Sequence, residues 1–176
     1  AVIMAFRDHL DGAVRIDNTN PINEMRLQIE SHPSEAIMFT NVEGAEGHSA
    51  AANVCLRDNM TKHFGIQPAE LLSTLEWAMD NRSDPIEHEG EAPVMENSIE
   101  PVDLGKLPIP HHYPQDRGRY MSASIIIAEY NGSRNVSFHR QFVRDENHLV
   151  ARLVPRHLRT MLDEAREQGD AVDIAI

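Results

Sequence analysis

Positive charge is the first thing this sequence is short of. Across 176 residues, 16 Lys and Arg face 28 Asp and Glu, a net charge of −12. A surface of that sign repels phosphate backbones and anionic lipid, which excludes non-specific binding to nucleic acid or to a membrane surface. The acidity fits a high-salt host and a solubility role equally well. Cysteine is nearly absent too: Cys55 stands alone, so no internal disulfide forms and the chain suits a reducing compartment. Cys55 lies in "ANVCLRD" between apolar residues and reads as a buried core thiol. Long apolar runs are missing, and nothing approaches the roughly 20 residues of a membrane span. The opening "AVIMAFRDHL" lacks the basic region and the length of a signal peptide. These absences predict a soluble, cytoplasmic protein. Strong catalytic signatures are missing as well: there is no Walker loop, GxGxxG, GxSxG or HExxH.

What is present is a chain whose character changes midway. "PINEMRLQIESHP" spaces Ile22, Met25 and Ile29 for a helix, with Asn20 available as its N-cap and Pro33 beyond its end. "EAIMFTNV" reads as a buried strand and "NVCL" as another. "LRDNMTKHFGI" reads as a short helix stopped by Gly65. "QPAELLSTLEWAMDNRSD" is the clearest helix, with Leu71, Leu75, Trp77 and Met79 predicted to pack inward. Ser83 to Asp116 then holds six of the ten prolines and little periodicity. It reads as an extended connection with a strand or two, with a domain boundary near residue 103. Two domains follow, 1–103 and 104–176. In "LPIPHHYPQDRGRY", His111, His112 and Asp116 match no strong ligand spacing, and the stretch reads as a proline-stiffened loop.

Beyond it, "RYMSASIIIAEY" predicts a strand buried on both faces. Asn131-Gly132 predicts a type I′ hairpin, because both central residues need φ > 0. "SRNVSFHRQFV" is the return strand and "HLVARLV" a third. "RHLRTMLDEAREQG" follows as an amphipathic helix with Leu158, Met161, Leu162 and Ala165 inward and Gly169 after it. The final "AVDIAI" reads as a strand just begun, which predicts a fragment.

Alternation along the return strand places Asn135, Ser137, His139 and Gln141 on one face and Val136, Phe138 and Phe142 on the other. The apolar face is expected to meet the core, which leaves the polar face solvated or holding a ligand. Arg140 falls on the apolar face, where a bulge or an anionic ligand would accommodate it. Arg156 and His157 open the last helix, where free N–H groups and the helix dipole favour an anion. The residues alone predict an α/β domain followed by a β-rich domain with a possible anion or metal site.

Those motifs carry a resemblance. "DLGKLPIPHHYPQDRGRYMSASIIIA", "RNVSFHR" and "LVPRHLRTMLDEAREQG" resemble, in that order, the UbiD-type decarboxylases that use prenylated FMN. The resemblance implies an α+β protein: an N-terminal α/β domain, then the opening of a flavin-reductase-like split β-barrel. It implies cofactor contacts from Asn135, Ser137, Phe138, His139, Arg140, Arg156 and His157. Asn135 and His157 would bind Mn²⁺ or Mg²⁺ beside the cofactor phosphate, with K⁺ as a further ion. Arg140 would be catalytic, orienting the substrate carboxylate. His139 stands where several relatives carry another residue. The implied reaction is reversible, non-oxidative decarboxylation of an aromatic or α,β-unsaturated acid, with electrons delocalised into the flavin. Candidate substrates are a polyprenylated hydroxybenzoate, a phenylacrylate or an isoprenoid phosphate precursor. A flavin prenyltransferase would supply the cofactor, and the full-length protein would be a homo-oligomer. The family's catalytic acids and glutamate metal ligand lie beyond Ile176, so this stretch alone is expected to be inactive. The competing expectations are an FMN-binding split-barrel oxidoreductase and a non-catalytic binding module.

Overall fold

The computed structural model describes residues 6–84, 90 and 92–176. The first five residues of the opening decapeptide, and residues 85–89 and 91 of the proline-rich connection, lie outside the described residues. The chain divides into two compact units: Ala1–Thr19 with Leu27–Val102, and Asn20–Arg26 with Asp103–Ile176.

The first unit is built on a three-stranded sheet. β1 (Val14–Ile16) runs parallel to β2 (Ile37–Phe39), which pairs antiparallel with β3 (Ala50–Ala52). Helix α1 (Glu24–Ser31) crosses from the second unit into the first. β2 supplies the core with Ile37 and Phe39, both fully buried. Helix α2 (Arg57–Phe64) ends where predicted, on Gly65 at φ 66°, a left-handed conformation that glycine adopts without a Cβ clash. Helix α3 (Leu71–Asp80) forms after a short turn over Pro68–Glu70.

Several expectations here need correction. "NVCL" is a turn rather than a strand, and the strand is the alanine run before it. Cys55 is exposed on that turn. Of the α3 residues predicted inward, Leu71 is buried, while Trp77 is 63% and Met79 68% exposed. Helical spacing identifies a common face but not whether anything covers it. Asn20 caps no helix. Its carboxamide oxygen accepts from the Ile22 N–H at 2.8 Å, four residues before α1 begins. The described part of the proline-rich connection holds short 3-10 turns and no strand.

The second unit carries a four-stranded antiparallel sheet in the order β6-β5-β4-β7, with helix α4 (His157–Gln168) on one face. β4 (Tyr120–Tyr130) and β5 (Ser133–Val143) form the long hairpin. Asn131 at φ 48° and Gly132 at φ 74° form its two-residue loop, as the Asn-Gly pair predicts. β6 (Leu149–Ala151) is only three residues long and pairs with Gln141–Val143. β7 (Asp173–Ala175) is not an unpaired stub: it pairs antiparallel with Ile127–Glu129 at the sheet edge.

Ile126, Ala128, Leu158 and Met161 form the core of this unit. Ile126 lies opposite Ser137 and Ala128 opposite Asn135, so α4 covers the face that carries Asn135 and Ser137. This reverses the expected orientation. Val136 is 63% and Phe138 75% exposed, with Ile125 and Ile127 beside them, so β4 is buried on one face only. Alternation sorts side chains into two faces, but where the next helix lands decides which face becomes core. No helix among the described residues is long and apolar enough to cross a membrane.

Candidate functional site

The site begins with the backbone of β5. The Arg144 N–H donates to the His148 carbonyl at 2.9 Å, and the Val143 N–H to the Arg119 carbonyl at 3.0 Å. Backbone direction alternates along a strand, so even-numbered residues of β5 turn their polar groups toward β6 and odd-numbered ones toward β4. β6 reaches no further than Gln141. Val136 and Phe138 therefore present N–H and C=O groups along an edge that no strand covers among the described residues. After Ala151 the chain leaves the sheet and returns as the start of α4.

That return closes a cavity of about 400 Å³ along the open edge. Asn135, Ser137, Phe138, His139, Arg156 and His157 all line it. A neighbouring cavity of about 350 Å³ is lined by Asn135 and His157 again, with Thr160 and Glu164 from α4. Six of the seven predicted site residues thus share one concavity. Arg140 does not. It points to the other face of the sheet, into a separate cavity of about 540 Å³ with Tyr120, Phe142 and Arg152.

Hydrogen bonds order the first cavity. Asn135 Nδ2 donates to Ser137 Oγ at 3.0 Å, and Ser137 Oγ lies 2.9 Å from His139 Nε2. The hydroxyl has one proton and two lone pairs, so it joins the amide and the ring whichever nitrogen of His139 carries the proton. Since Nδ2 is used inside the relay, Asn135 Oδ1 remains available as a neutral oxygen ligand. No side chain caps the α4 N-terminus, so its first-turn N–H groups are available to an anion. No cluster of three or more His, Cys, Asp or Glu occurs among the described residues. Asn135 and His157 line both of these cavities, and each carries an atom of a type that can ligate a hard divalent ion.

The cavity that holds Arg140 is walled by a loop held in place from two sides. Arg119 donates from Nε to the Ile109 carbonyl at 2.8 Å and from Nη1 to the Gly105 carbonyl at 3.0 Å. On the other side, the Arg26 guanidinium stacks 4.8 Å from the Tyr113 ring centre, and the Asn23 N–H donates to the His111 carbonyl at 2.9 Å. His111 Nε2 in turn lies 3.1 Å from the Asp116 carbonyl, so this histidine serves the loop. Arg117 and Arg152 belong to this cavity and were missed in the sequence, where they sit in different segments. Arg152 follows directly on β6, whose Ala151 pairs with Gln141, and it lines the same cavity as Arg140.

Residues 86–176 match the UbiD family's 3-octaprenyl-4-hydroxybenzoate carboxy-lyase Rift-related domain. The chain belongs to the UbiD family. Anhydromevalonate phosphate decarboxylase of Archaeoglobus fulgidus is 30% identical over 171 residues, covering 91% of this chain and 40% of that protein. The enzyme of the same name from Methanothermobacter thermautotrophicus is 31% identical over 150 residues, covering 84% and 35%. Among solved structures, an evolved dimeric form of the UbiD-class enzyme HmfF from Pelotomaculum thermopropionicum, in complex with prFMN, superposes with a TM-score of 0.83. It is 26% identical and is matched over 97% of this chain and 43% of its own. Vanillic acid decarboxylase of Sedimentibacter hydroxybenzoicus gives 0.81 at 21% identity, covering 100% and 42%, a likeness of fold alone. The chain thus spans about 40% of the A. fulgidus relative's length. The α+β class holds, and the second unit's sheet is the half-barrel of UbiD enzymes.

Proposed function

We propose that this chain forms the cofactor-holding part of a UbiD-type decarboxylase that removes CO₂ from an α,β-unsaturated acid by means of prenylated FMN. One observation carries the reading: Asn135 and His157, 22 positions apart in the sequence, line the same cavity beside the open edge of β5. The donor set suits a flavin phosphate and a hard divalent ion such as Mn²⁺ or Mg²⁺. A neutral amide oxygen and an imidazole would bind the ion, while the uncapped helix start faces the anion. Ser137 and His139 would fix Asn135, and the free backbone groups of Val136 and Phe138 would meet the polar edge of the ring system. Arg156 would contact the cofactor beside them. When bound, prenylated FMN supplies the electron sink for the carbanion left as CO₂ departs. Arg140, from the neighbouring face, would orient the substrate carboxylate through its paired N–H groups.

Relatives named for anhydromevalonate phosphate favour a small unsaturated acid over an aromatic one. Homo-oligomerisation, a K⁺ ion, supply of the cofactor by a flavin prenyltransferase and a cytoplasmic location belong to the same proposal. The boundary near residue 103 is carried with it, as the start of the cofactor-binding domain. The test is titration of FMN into the protein with and without Mn²⁺. Flavin affinity should rise with Mn²⁺ and fall about tenfold or more in Asn135→Ala, the effect expected for loss of a ligand held by its neighbours. Metal-independent flavin binding would instead favour the plain oxidoreductase barrel.

A further inference from the structure

Buried polar atoms without a hydrogen-bond partner flank one residue of β5. They are Gln141 Nε2, Gln141 Oε1 and Ser124 Oγ, and the residue is His139. Ser124 pairs directly opposite His139 across the strands, and Gln141 follows it by two positions on the same face. Gln141 is only 1% exposed and is among the largest fully buried side chains of the described residues. An unpaired carboxamide in a core is costly at both of its atoms, whereas an apolar side chain of the same length carries no such cost.

The polar row on this face gives the amide its meaning. Asn135 Nδ2 donates to Ser137 Oγ, and Ser137 Oγ meets His139 Nε2. Each contact spans two positions of β5. Gln141 is the next position in that period, yet the step from His139 to Gln141 is not made. The register also shifts between Met121 and Ser124, so β4 carries one extra residue opposite that same step and the ladder is disrupted there.

We propose that Gln141 is a positioning residue for the metal site: it bonds His139 when an ion is held at Asn135, and so raises the affinity for that ion. The proposal rests on the decarboxylase reading for the presence of the ion. A cation on Asn135 Oδ1 polarises the carboxamide, which strengthens Nδ2 as a donor to Ser137 and carries the pull along the row to the ring. The Gln141 amide holds both a donor and an acceptor, so it answers either form of the imidazole. A group that is unpartnered in the empty protein and bonded in the loaded one favours loading by the difference. Ser124 lies across the strands rather than along the row, and only Gln141 continues it.

Thermal unfolding without metal, and Mn²⁺ titration with FMN present, test this on the 176-residue protein. Gln141→Met keeps the length of the side chain and removes its polar atoms. It should raise the Tm of the metal-free protein by about 4 °C or more. It should also weaken Mn²⁺ binding about tenfold, the scale of one hydrogen bond. Stability and affinity then move in opposite directions, which a purely structural role does not produce. Ser124→Ala removes the other unpartnered group and should leave Mn²⁺ affinity within about twofold of wild type. A Gln141→Met protein that melts earlier than wild type or fails to fold shows the amide to be bonded already, and overturns the proposal. An equal loss of Mn²⁺ affinity in Ser124→Ala overturns it too. Wild type that binds Mn²⁺ while Gln141→Met binds it equally well sinks this proposal alone. Wild type that binds no Mn²⁺ sinks the metal site of the decarboxylase reading, and this proposal with it.

Discussion

Removing one hydroxyl should disturb the proposed metal site from one step away. Ser137 Oγ accepts from Asn135 Nδ2 at 3.0 Å and reaches His139 Nε2 at 2.9 Å. Ser137→Ala removes the partner of both Asn135 Nδ2 and His139 Nε2, in two half-buried residues. Full burial would cost about 1–3 kcal/mol per stranded group. Water reaches this cavity, so roughly 1 kcal/mol in total is expected. For a unit of this size that lowers Tm by about 4–8 °C. The functional effect is expected to exceed the stability effect, because Asn135 loses the contact that fixes its carboxamide. Freed supporting contacts of this kind weaken metal binding by about 10–100-fold. The assay is Mn²⁺ titration followed by electron paramagnetic resonance in the presence of FMN, with ¹⁵N spectra reading the His139 tautomer. Ser137→Thr keeps the hydroxyl and should restore both signals. A Ser137→Ala protein with its His139 spectrum unchanged and Mn²⁺ affinity within about twofold of wild type would refute the relay.

Two further outcomes follow from α4. Leu158→Ala empties a buried position against Ile126 and Met161. It should cost about 2–5 kcal/mol, read by urea unfolding, with flavin affinity falling as His157 loosens; a loss under about 1 kcal/mol would show that α4 is held elsewhere. The second outcome concerns pH. Arg159 Nε donates to both Asp163 oxygens, at 2.9 and 2.8 Å, and this bond holds the Asp163 carboxyl below its usual range. A carboxyl whose folded pKa is depressed contributes stability above its unfolded pKa of about 4 and loses it as pH falls through the lower folded value. Thermal unfolding at pH 5 and pH 3 should therefore show a smaller pH dependence in Asp163→Asn than in wild type; equal slopes would exclude the pair as a contributor.

Local chemistry made much of the second unit legible. Asn131-Gly132 demanded a two-residue hairpin, Gly169 a left-handed helix end, and Leu158, Met161 and Ala165 a buried stripe. All three are present. The sidedness of the sheet was not legible. Strand alternation separates Asn135 and Ser137 from Val136 and Phe138, but it is symmetric. The buried side is chosen by Leu158 and Met161 landing on Ile126 and Ala128, a long-range event that leaves no local mark. The same limit explains Trp77 and Met79, whose helical spacing survives although nothing in the described structure covers them. The membership of Asn20–Arg26 in the second unit was hidden for a related reason. It depends on main-chain bonds to His111 and on Arg26 stacking over Tyr113, contacts more than 80 positions away.

The length of β6 links the two cavities physically. Three residues suffice to pair with Gln141–Val143, and Arg152, the residue after them, lines one cavity with Arg140. Because β6 stops there, the backbone of Val136 and Phe138 stays unpaired, and the chain is free to turn back through Arg156 and His157 over Asn135. A longer β6 would pair with the edge and fill the polar cavity with its own backbone. A bare sheet edge is a liability that proteins usually cover or charge. Here its neighbours are the Asn135–Ser137–His139 hydrogen bonds and an uncapped helix start, groups that suit the proposed phosphate and metal ion better than another strand.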